Sequence, residues 1–382
     1  MMKAFDPTKN ERLMAIAAHF VNGQKVNGRE VIAIAPLGNG NINSTFVVTV
    51  SQGLRPASTQ RFVLQRINTQ VFRQPERVIQ NMVVLNEHLK QTAADPSRRW
   101  ETPQVLPTPQ GANFWIDEEG GYWRAISFIE NAYVLESVQD TAHAKEIGCG
   151  LAMFHRAIST LSPDRLADTL EGFHVTPVYL AAYERVLEKC DRTTPPMQSA
   201  LVQHCLEFIA QRQAWASVLE QAKAAGHLHL RPIHGDPKVN NMMLGANGEA
   251  VGLIDLDTLK PGLVHYDIGD CLRSACNPLG EETEDWQNVV FDTNLARAML
   301  QGYLSLARDF LTEKDYDYLY DAIRLIAFEL GLRFFTDYLA GNRYFKVKSP
   351  THNLNRALVQ FQLTQSIEQQ ANTLKAIIQE LR

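Results

Sequence analysis

The sequence predicts an α+β fold of two lobes, a small β-rich N-terminal lobe followed by a large helical C-terminal lobe. In residues 1–130, short apolar runs alternate with glycine- and proline-bearing turns, which is typical of strands. From Thr141 onward, most apolar residues recur at a spacing near 3.6, which is typical of helices. One stretch, 233–259, departs from the helical spacing and is interpreted as two short strands with loops.

The N-terminal elements follow one another as helix, three strands, helix and hairpin. A helix is predicted over Glu11–Val21, and two strands around a glycine turn over Val31–Val50. Gln60–Asn68 is the third strand. Pro75–Leu89 has helical apolar spacing with proline at its start, and Asn113–Asn131 reads as a hairpin. A polar, proline-bearing connection separates this helix from the hairpin.

We divide the chain into a β-rich N-terminal lobe, residues 1–130, and a helical C-terminal lobe, residues 131–382. The hinge is placed near Phe128–Tyr133. A cleft between two lobes is a common place for a ligand, so the functional residues are expected there.

Composition excludes several classes of protein. The net charge of −5 gives no electrostatic reason to expect nucleic acid or an anionic membrane as a partner. The five cysteines form no C-x-x-C pair, so free thiols in a reducing cytosol are expected. No signal peptide and no apolar run long enough to span a membrane are recognised. We therefore expect a cytoplasmic protein.

The segment "HGDPKVNN" carries the strongest chemical signal. His234, Asp236 and Asn241 have the spacing H-x-D-x-x-x-x-N. In protein kinases the Asp of this motif accepts the proton of the attacking hydroxyl, and the Asn holds magnesium. Lys238 follows two residues after Asp236, where a cation can neutralise charge on the transferred phosphoryl group. The alternative is that Asp236-Pro237 is a turn.

A second apolar run, "GLIDLD", ends in carboxylates about 20 residues after Asp236. Asp255 follows the run directly and is the candidate second magnesium ligand, alongside Asn241. Asp257 either shares this role or is a turn residue, and the local pattern favours the turn. Asp267 lies at a helix start, where Asp is usually an N-cap, and is interpreted as structural.

The N-terminal lobe offers candidate nucleotide contacts. The segment "LGNGNINSTF" resembles a glycine-rich phosphate loop between strands, with Gly38, Gly40, Asn41 and Asn43 as candidates, although a plain hairpin turn would look the same. Arg66 ends the strand "VLQR" and is predicted to reach the phosphates, on the same strand face as Leu64. A surface arginine is the alternative.

Two further groups of residues are judged less informative. Glu76 and Glu87, in the predicted helix, are both weak candidates for an ion pair with Arg66, and that partner is left unassigned. His155 lies on an apolar helical face, where a core histidine is expected rather than a ligand.

Taken together, these motifs resemble the aminoglycoside phosphotransferase and choline kinase family, which has a protein-kinase-like fold. Within it, "PLGNGNINSTF", "FVLQRIN", "HGDPKVNN" and "ELGLRFFTDYLAGNRYF" are most similar to N-acetylhexosamine 1-kinases. The resemblance implies ATP and Mg²⁺ as cofactors and phosphorylation of the anomeric C1 hydroxyl of the sugar. It also implies that the hinge residues Phe128, Ile129 and Glu130 hold adenine through the backbone.

The same resemblance implies that Arg333 and Tyr344 contact the sugar. The alternative is that Arg333 and Asp337, four residues apart, form a surface pair on one helix. Other acceptors within the family stay open, namely choline, homoserine, methylthioribose and aminoglycosides. A nucleotide-binding pseudokinase that transfers nothing is a competing hypothesis, and a macromolecular substrate ranks last.

Overall fold

The computed structural model describes residues 7–21, 30–38, 42–51, 59–92 and 98–382. It confirms the α+β class, with a β-rich N-terminal part and a helical C-terminal part. The N-terminal elements are α1 Pro7–Ala18, β1 Val31–Pro36, β2 Ser44–Ser51, β3 Thr59–Arg66, α2 Pro75–Gln91, β4 Val105–Leu106, β5 Trp115–Ile116 and β6 Tyr122–Ser127. Strand β4, two residues long, lies in the stretch predicted as a connection only.

The N-terminal sheet is antiparallel with strand order β1-β2-β3-β6-β4, and β5 pairs with the outer end of β6. Helix α1 packs on one face of it, where Leu13 and Ile16 join a core with Leu64 and Ala125. Alternation places Val63 on the opposite face, in the main core of the protein. The sheet is therefore covered on both faces.

The C-terminal lobe is built from helices with two small hairpins between them. Its elements are α3 Thr141–Ile158, α4 Thr176–Leu187, α5 Ala200–Arg212, α6 Val218–Ala224, β7 Arg231–Ile233, β8 Met242–Leu244, β9 Ala250–Leu253, β10 Lys260–Gly262, α7 Val264–Ala275, α8 Thr293–Ala307, α9 Glu313–Asp317, α10 Leu319–Leu339, α11 His352–Gln369 and α12 Ala371–Leu381. The stretch 233–259, predicted as two strands, contains β8 and β9, and the paired strands β7 and β10 lie at its two ends.

Backbone hydrogen bonds attach the N-terminal lobe to the β8–β9 hairpin. The amide of Glu101 donates to the carbonyl of Val251 at 2.8 Å. Tyr133 and Leu244 exchange both of their backbone bonds, at 2.9 and 2.8 Å. Asn131, with φ of 53°, turns the chain between β6 and this attachment. The boundary between the two lobes, set at residues 130 and 131 from the sequence, stays a prediction. The turn at Asn131 lies at this predicted boundary.

Two predictions about the chain as a whole concern membranes and thiols. Among the described residues, no helix is both long and apolar enough to cross a membrane. All five cysteines are free thiols, as predicted, and four of them are buried.

Candidate active site

The loop between β7 and Asn241 is fixed by helix α7 and by its own backbone geometry. Asp267, in the first turn of α7, accepts hydrogen bonds from the amides of His234 at 2.7 Å and Gly235 at 2.8 Å. Gly235 has φ of 87°, and a Cβ there would lie 2.6 Å from the carbonyl oxygen of Thr258. Glycine is therefore required at this position, because an L side chain would meet both strain and a clash.

The interpretation of Asp267 as an N-cap is wrong, because Leu263 is the N-cap of α7. Asp267 is structural in another way, since it holds the catalytic loop and also accepts from His155 Nε2 at 2.9 Å. His155 is buried, and its Nδ1 lies 2.8 Å from the Tyr303 hydroxyl. It is the hydrogen-bonded core histidine that the sequence predicted.

Asp236 lies at the end of this fixed loop, facing a cation. Its Oδ2 is 2.8 Å from Lys238 Nζ. Burial alone would raise the pKa of Asp236, but the charges of Lys238, His234 and Arg273 outweigh it, and the pKa is lowered. The carboxylate is therefore ionised at neutral pH, which a group that accepts a proton requires.

Asn241 and Asp255 lie on either side of Asp236. Asn241 donates from Nδ2 to the backbone carbonyl of Asp236 at 2.7 Å, so the Asn241 carbonyl oxygen remains available as a ligand. The Asn241 carbonyl of the main chain accepts from the amide of Ile254 at 2.9 Å, which brings Asp255 alongside. Asp255 adopts the left-handed conformation, with φ of 65° and ψ of 56°. For a residue other than glycine, that conformation is uncommon and often marks a functional site.

The electrostatics at Asp255 favour a cation. Its carboxylate is open to the cleft, yet protein encloses it on most sides, and this burial together with Asp257 and Asp236 raises the pKa of Asp255 to about 7. Within the described ranges, no three His, Cys, Asp or Glu side chains converge to hold a metal by themselves. One Asp and one Asn suit Mg²⁺, which keeps water and phosphate oxygens as its other ligands.

The carbonyl side of the catalytic loop is held by a buried ion pair. His174 Nε2 donates to the carbonyl of Gly235 at 2.7 Å, and its Nδ1 donates to Glu329 at 3.0 Å. Both ring nitrogens face acceptors, so both carry protons. Burial lowers the pKa of His174, but the Glu329 carboxylate outweighs it and the net shift is upward. Glu329, on α10, is further fixed by the Thr176 hydroxyl at 2.7 Å.

The structure corrects the position of Arg66. It shares a face of β3 with Leu64, as predicted, but that face packs against α1. Arg66 is 3.9 Å from Glu119 and partly exposed, so it is not brought near Asp236 or Asp255. The expectation that Arg66 reaches the phosphates is not met by this placement.

A buried arginine from the next strand lies on the inner face instead. Arg124, 1% exposed, donates to Gln65 at 2.7 Å and forms an ion pair with Asp257. Helix α2 contributes Met82 to this contact, with Sδ 3.0 Å from Arg124 Nη1, and no glutamate. The ion pair of Arg124 joins the two lobes, between β6 and the loop after β9, and the helix glutamate sought for Arg66 stays unassigned.

The candidate helix glutamates have other partners. Glu76 accepts from the Tyr122 hydroxyl at 2.6 Å, and Glu87 lies 3.9 Å from Arg165. Neither contacts Arg66 or Arg124.

Asp257 also contacts the predicted glycine loop. Asn43 donates from Nδ2 to Asp257 and accepts from the amide of Asn68 at 2.9 Å. Asp257 is thus a buried partner of Asn43 and Arg124, and its turn is a 3-10 turn over Leu256–Thr258. Gly38 has φ of 69°, which favours glycine. The candidates Gly40 and Asn41 lie outside the described residues.

The predicted hinge follows β6 directly. Ile129 is buried, and the ring of Phe128 lies 4.1 Å below the guanidinium of Arg61. Glu130 forms an ion pair with Arg61, and its carbonyl accepts from Arg99 Nη2 at 2.6 Å. That carbonyl is therefore already engaged, and the adenine contacts of this segment stay a prediction.

The contrast between the two arginines gives a stability test. We expect Arg124→Ala to lower the free energy of unfolding by about 3–5 kcal/mol, because the buried Asp257 carboxylate would lose its cation. Arg66→Ala is the matched control, since an exposed pair contributes about 0–1 kcal/mol. Urea denaturation measures both, and KM for ATP is expected to stay unchanged in Arg66→Ala. Equal destabilisation by the two substitutions would contradict these placements.

A cavity of about 690 Å³ lies between the start of α2 and the end of α10. Phe173, which precedes the loop-binding His174, lines it together with Arg333. The Arg333 guanidinium is 5.1, 5.0 and 5.7 Å from the ring centres of Phe173, Tyr179 and Phe345. In the part of the chain that the structure describes, Arg333 forms no ion pair, and it lines the cavity.

The alternative of an Arg333–Asp337 surface pair is wrong. Asp337 is buried, and its carboxylate accepts from the amides of Arg343, Tyr344 and Phe345 at 2.8–2.9 Å. It thereby shapes the turn after α10 and places Tyr344, which is 56% exposed, at the cavity wall.

Sequence reasoning missed four contributors to this site: Gln65, Arg124, His174 and Glu329. An arginine within the apolar run "YWRAIS" was a signal for Arg124, since a charge in a buried strand requires a partner. No local signal pointed to His174, which lies in a loop with φ of 65°.

Comparison with known proteins identifies the family and the fold. The sequence model of the phosphotransferase enzyme family matches residues 33–313. An aminoglycoside phosphotransferase from Alicyclobacillus acidocaldarius is similar over 100% of this chain and 98% of its own, at 15% identity and a TM-score of 0.64. The GDP complex of aminoglycoside 2'-phosphotransferase-IIIa matches over 92% of this chain and 98% of its own, at 13% identity and a TM-score of 0.58. Choline kinase from Cryptosporidium parvum matches over 97% of this chain and 99% of its own, at 14% identity and a TM-score of 0.57.

The fold is thus protein-kinase-like, and the protein is a phosphotransferase by class. The family match spans most of the chain, so the chain belongs to the phosphotransferase enzyme family.

Proposed function

We propose that this protein is an ATP-dependent kinase that phosphorylates the anomeric C1 hydroxyl of an N-acetylhexosamine. The observation that carries the proposal is the cavity lined by Phe173, the neighbour of the loop-binding His174, with the Arg333 guanidinium in its wall. Guanidinium and phenol groups donate hydrogen bonds to sugar hydroxyls, and aromatic rings pack on the apolar faces of a sugar. Arg333 and Tyr344 are the proposed sugar contacts.

The reaction assigns one task to each polar group of the loop. Asp236 accepts the proton of the acceptor hydroxyl as the oxygen bonds to the γ-phosphorus and the bond to the β-phosphate oxygen breaks. Lys238 neutralises charge on the transferred phosphoryl group. Asn241 and Asp255 would hold Mg²⁺, which when bound neutralises charge on the phosphate oxygens of ATP. Positioning and charge account for the rate enhancement.

A nucleotide as the donor is supported by the similarity to the GDP complex described above. Gly38, Asn43 and the segment Phe128–Glu130 are the proposed nucleotide contacts, and Gly40 and Asn41 remain proposed as members of the loop. Arg124 replaces Arg66 as the proposed cation on the inner face of the sheet.

The same cavity disfavours a cationic acceptor such as choline or an aminoglycoside. Recognition of a quaternary ammonium uses open aromatic faces. Here the rings of Phe173, Tyr179 and Phe345 already surround a cation of the protein itself, Arg333. A second positive charge would be repelled at this position.

A panel of acceptors with NMR of the product tests the proposal. N-acetylglucosamine or N-acetylgalactosamine is expected to be turned over far better than glucose, choline or homoserine, because a site built for an acetamide rejects analogues without it. The phosphate is expected on C1. A best acceptor outside this class, or phosphate on C6, would end the hexosamine proposal. Absence of ADP release with every acceptor would favour the pseudokinase.

Arg333→Ala is expected to raise KM for the sugar about tenfold or more while leaving KM for ATP unchanged, because only acceptor hydrogen bonds are lost. Steady-state kinetics with each substrate varied in turn measure both constants. Arg343→Ala is the matched control, since Arg343 is exposed and does not line the cavity. If the two variants behave alike, Arg333 is not a sugar contact.

A further inference from the structure

We propose that Arg73 and Arg77, at the start of α2, bind an anionic substituent of the acceptor, a carboxylate or a phosphate. Both arginines line the cavity that also contains Arg333. The inference rests on the proposed function, because it takes the acceptor to occupy this cavity with its reacting hydroxyl at Asp236. It extends that function from a neutral amino sugar to an acidic one.

The arginines that line the cavity form no ion pairs with the described residues. Arg73, Arg77 and Arg333 have no ion-pair partner within the described ranges of the chain. Arg73 and Arg77 are exposed, so their guanidinium groups are free to turn towards a ligand. Three guanidinium groups that line one cavity repel one another, and an anion bound between them would relieve this repulsion.

Two of the three acidic residues that line the cavity have partners within the protein. Asp168 lies 2.7 Å from Lys260 Nζ. Asp337 is occupied by three backbone amides and by Asn353 Nδ2 at 2.9 Å. Glu171 is the one lining carboxylate without a partner in the described part of the chain. With Asp168 neutralised by Lys260, the three arginines face the carboxylates of Glu171 and Asp337, which leaves an excess of one positive charge.

The start of α2 adds positive potential to the two arginines, and its first turn holds one acidic residue, Glu76, beside Arg77. The N-terminus of a helix carries partial positive charge, and acidic residues are favoured there. Arg73 directly precedes the N-cap Gln74, and Arg77 follows in the first turn of α2. Local choices that oppose stability are expected at functional sites. The helix dipole and both guanidinium groups would act on the same bound anion.

Arginine also matches the proposed ligand in shape. Its planar fork donates two parallel hydrogen bonds to a carboxylate or a phosphate. Arg333 is fixed among three rings on α10, whereas Arg73 and Arg77 approach from α2. An acceptor can therefore be held at two places, by its hydroxyls on the α10 side and by its anionic group on the α2 side.

The test compares a neutral acceptor with acceptors that carry one added anionic group. N-acetylglucosamine is measured against its 6-phosphate, its 6-carboxylate and its 3-O-carboxymethyl ether, which separate phosphate from carboxylate. At least one anionic acceptor is expected to have kcat/KM about tenfold or more above that of the neutral sugar. In Arg73→Gln/Arg77→Gln this ratio is expected to fall towards one, while Arg343→Gln, the control, keeps it.

Several outcomes would overturn the inference. A neutral sugar that is used as well as every anionic one would do so, as would a preference that survives in the double variant. A rise in KM for ATP in the double variant would assign the two arginines to the nucleotide instead.

A binding measurement separates this inference from the proposed function. Calorimetry of N-acetylglucosamine 6-phosphate and of inorganic phosphate with Asp236→Asn needs no turnover. Binding that is lost when Arg73 and Arg77 are also changed to Gln supports the anion site, even if no sugar is phosphorylated on C1 and the proposed function fails. If neither N-acetylglucosamine 6-phosphate nor inorganic phosphate binds, while the neutral sugar is phosphorylated on C1, the anion site is wrong and the proposed function stands.

Discussion

Asp236→Asn is expected to lower kcat by about 10²–10⁴-fold, the usual loss on removing a general base. The amide keeps the shape of the side chain but cannot accept the proton of the acceptor hydroxyl. The loop itself is expected to remain in place, because Asp267 and His174 hold it through the backbone of His234 and Gly235. The loss should therefore appear in kcat, with the fold and ATP binding retained.

Single-turnover kinetics, calorimetry of ATP binding and circular dichroism check these three parts. Asp164→Asn, the same substitution at an exposed aspartate outside the site, is the control. A well-folded Asp236→Asn protein with kcat near that of the unmodified protein would remove Asp236 from the mechanism.

Asp255→Ala is expected to reduce activity with Mg·ATP by about 10²–10³-fold. A bound metal ion contributes several kcal/mol of charge stabilisation, and each factor of ten in rate corresponds to about 1.4 kcal/mol. Asp255→Glu and Asp255→Asn are expected to keep a trace, because each retains a ligand oxygen. The concentration of Mg²⁺ or Mn²⁺ that gives half the maximal rate is expected to rise in all three.

The neighbouring carboxylate separates metal binding from folding. Asp257 is engaged by Arg124 and Asn43, so Asp257→Asn is expected to lower stability more than it changes the metal requirement. Titration of the metal and thermal unfolding, measured on both variants, resolve the two effects. If chelation of the metal with EDTA leaves the unmodified protein active, Asn241 and Asp255 do not hold a required ion.

The elements that could be predicted from the sequence are those with enough residues to repeat a pattern. Helix α2 was predicted over Pro75–Leu89 and extends to Gln91. It could be predicted because its seventeen residues contain several turns, over which the apolar spacing repeats. Strands β4, β7 and β10 have two or three residues each, too few to show alternation. They exist because neighbouring strands pair with them.

The catalytic loop was accessible to sequence reasoning because its residues lie within eight positions of one another, from His234 to Asn241. Arg124 and Asp257 are 133 residues apart, and no local pattern links them. Arg66 shows a different limit. Alternation correctly placed it with Leu64, but both faces of the sheet are covered, so alternation cannot tell which face borders the cleft.

The hydrogen bonds of His174 have a consequence for the evolution of specificity. Glu329, which anchors His174, and Arg333, which faces the acceptor cavity, are four residues apart on α10 and so lie on one helical face. The helix is thus pinned to the catalytic loop one turn before it reaches the cavity. Residues of α10 beyond Glu329 can therefore change to suit a new acceptor without moving the loop that carries Asp236, the proposed base. Acceptor recognition and proton transfer would then depend on different parts of the same helix.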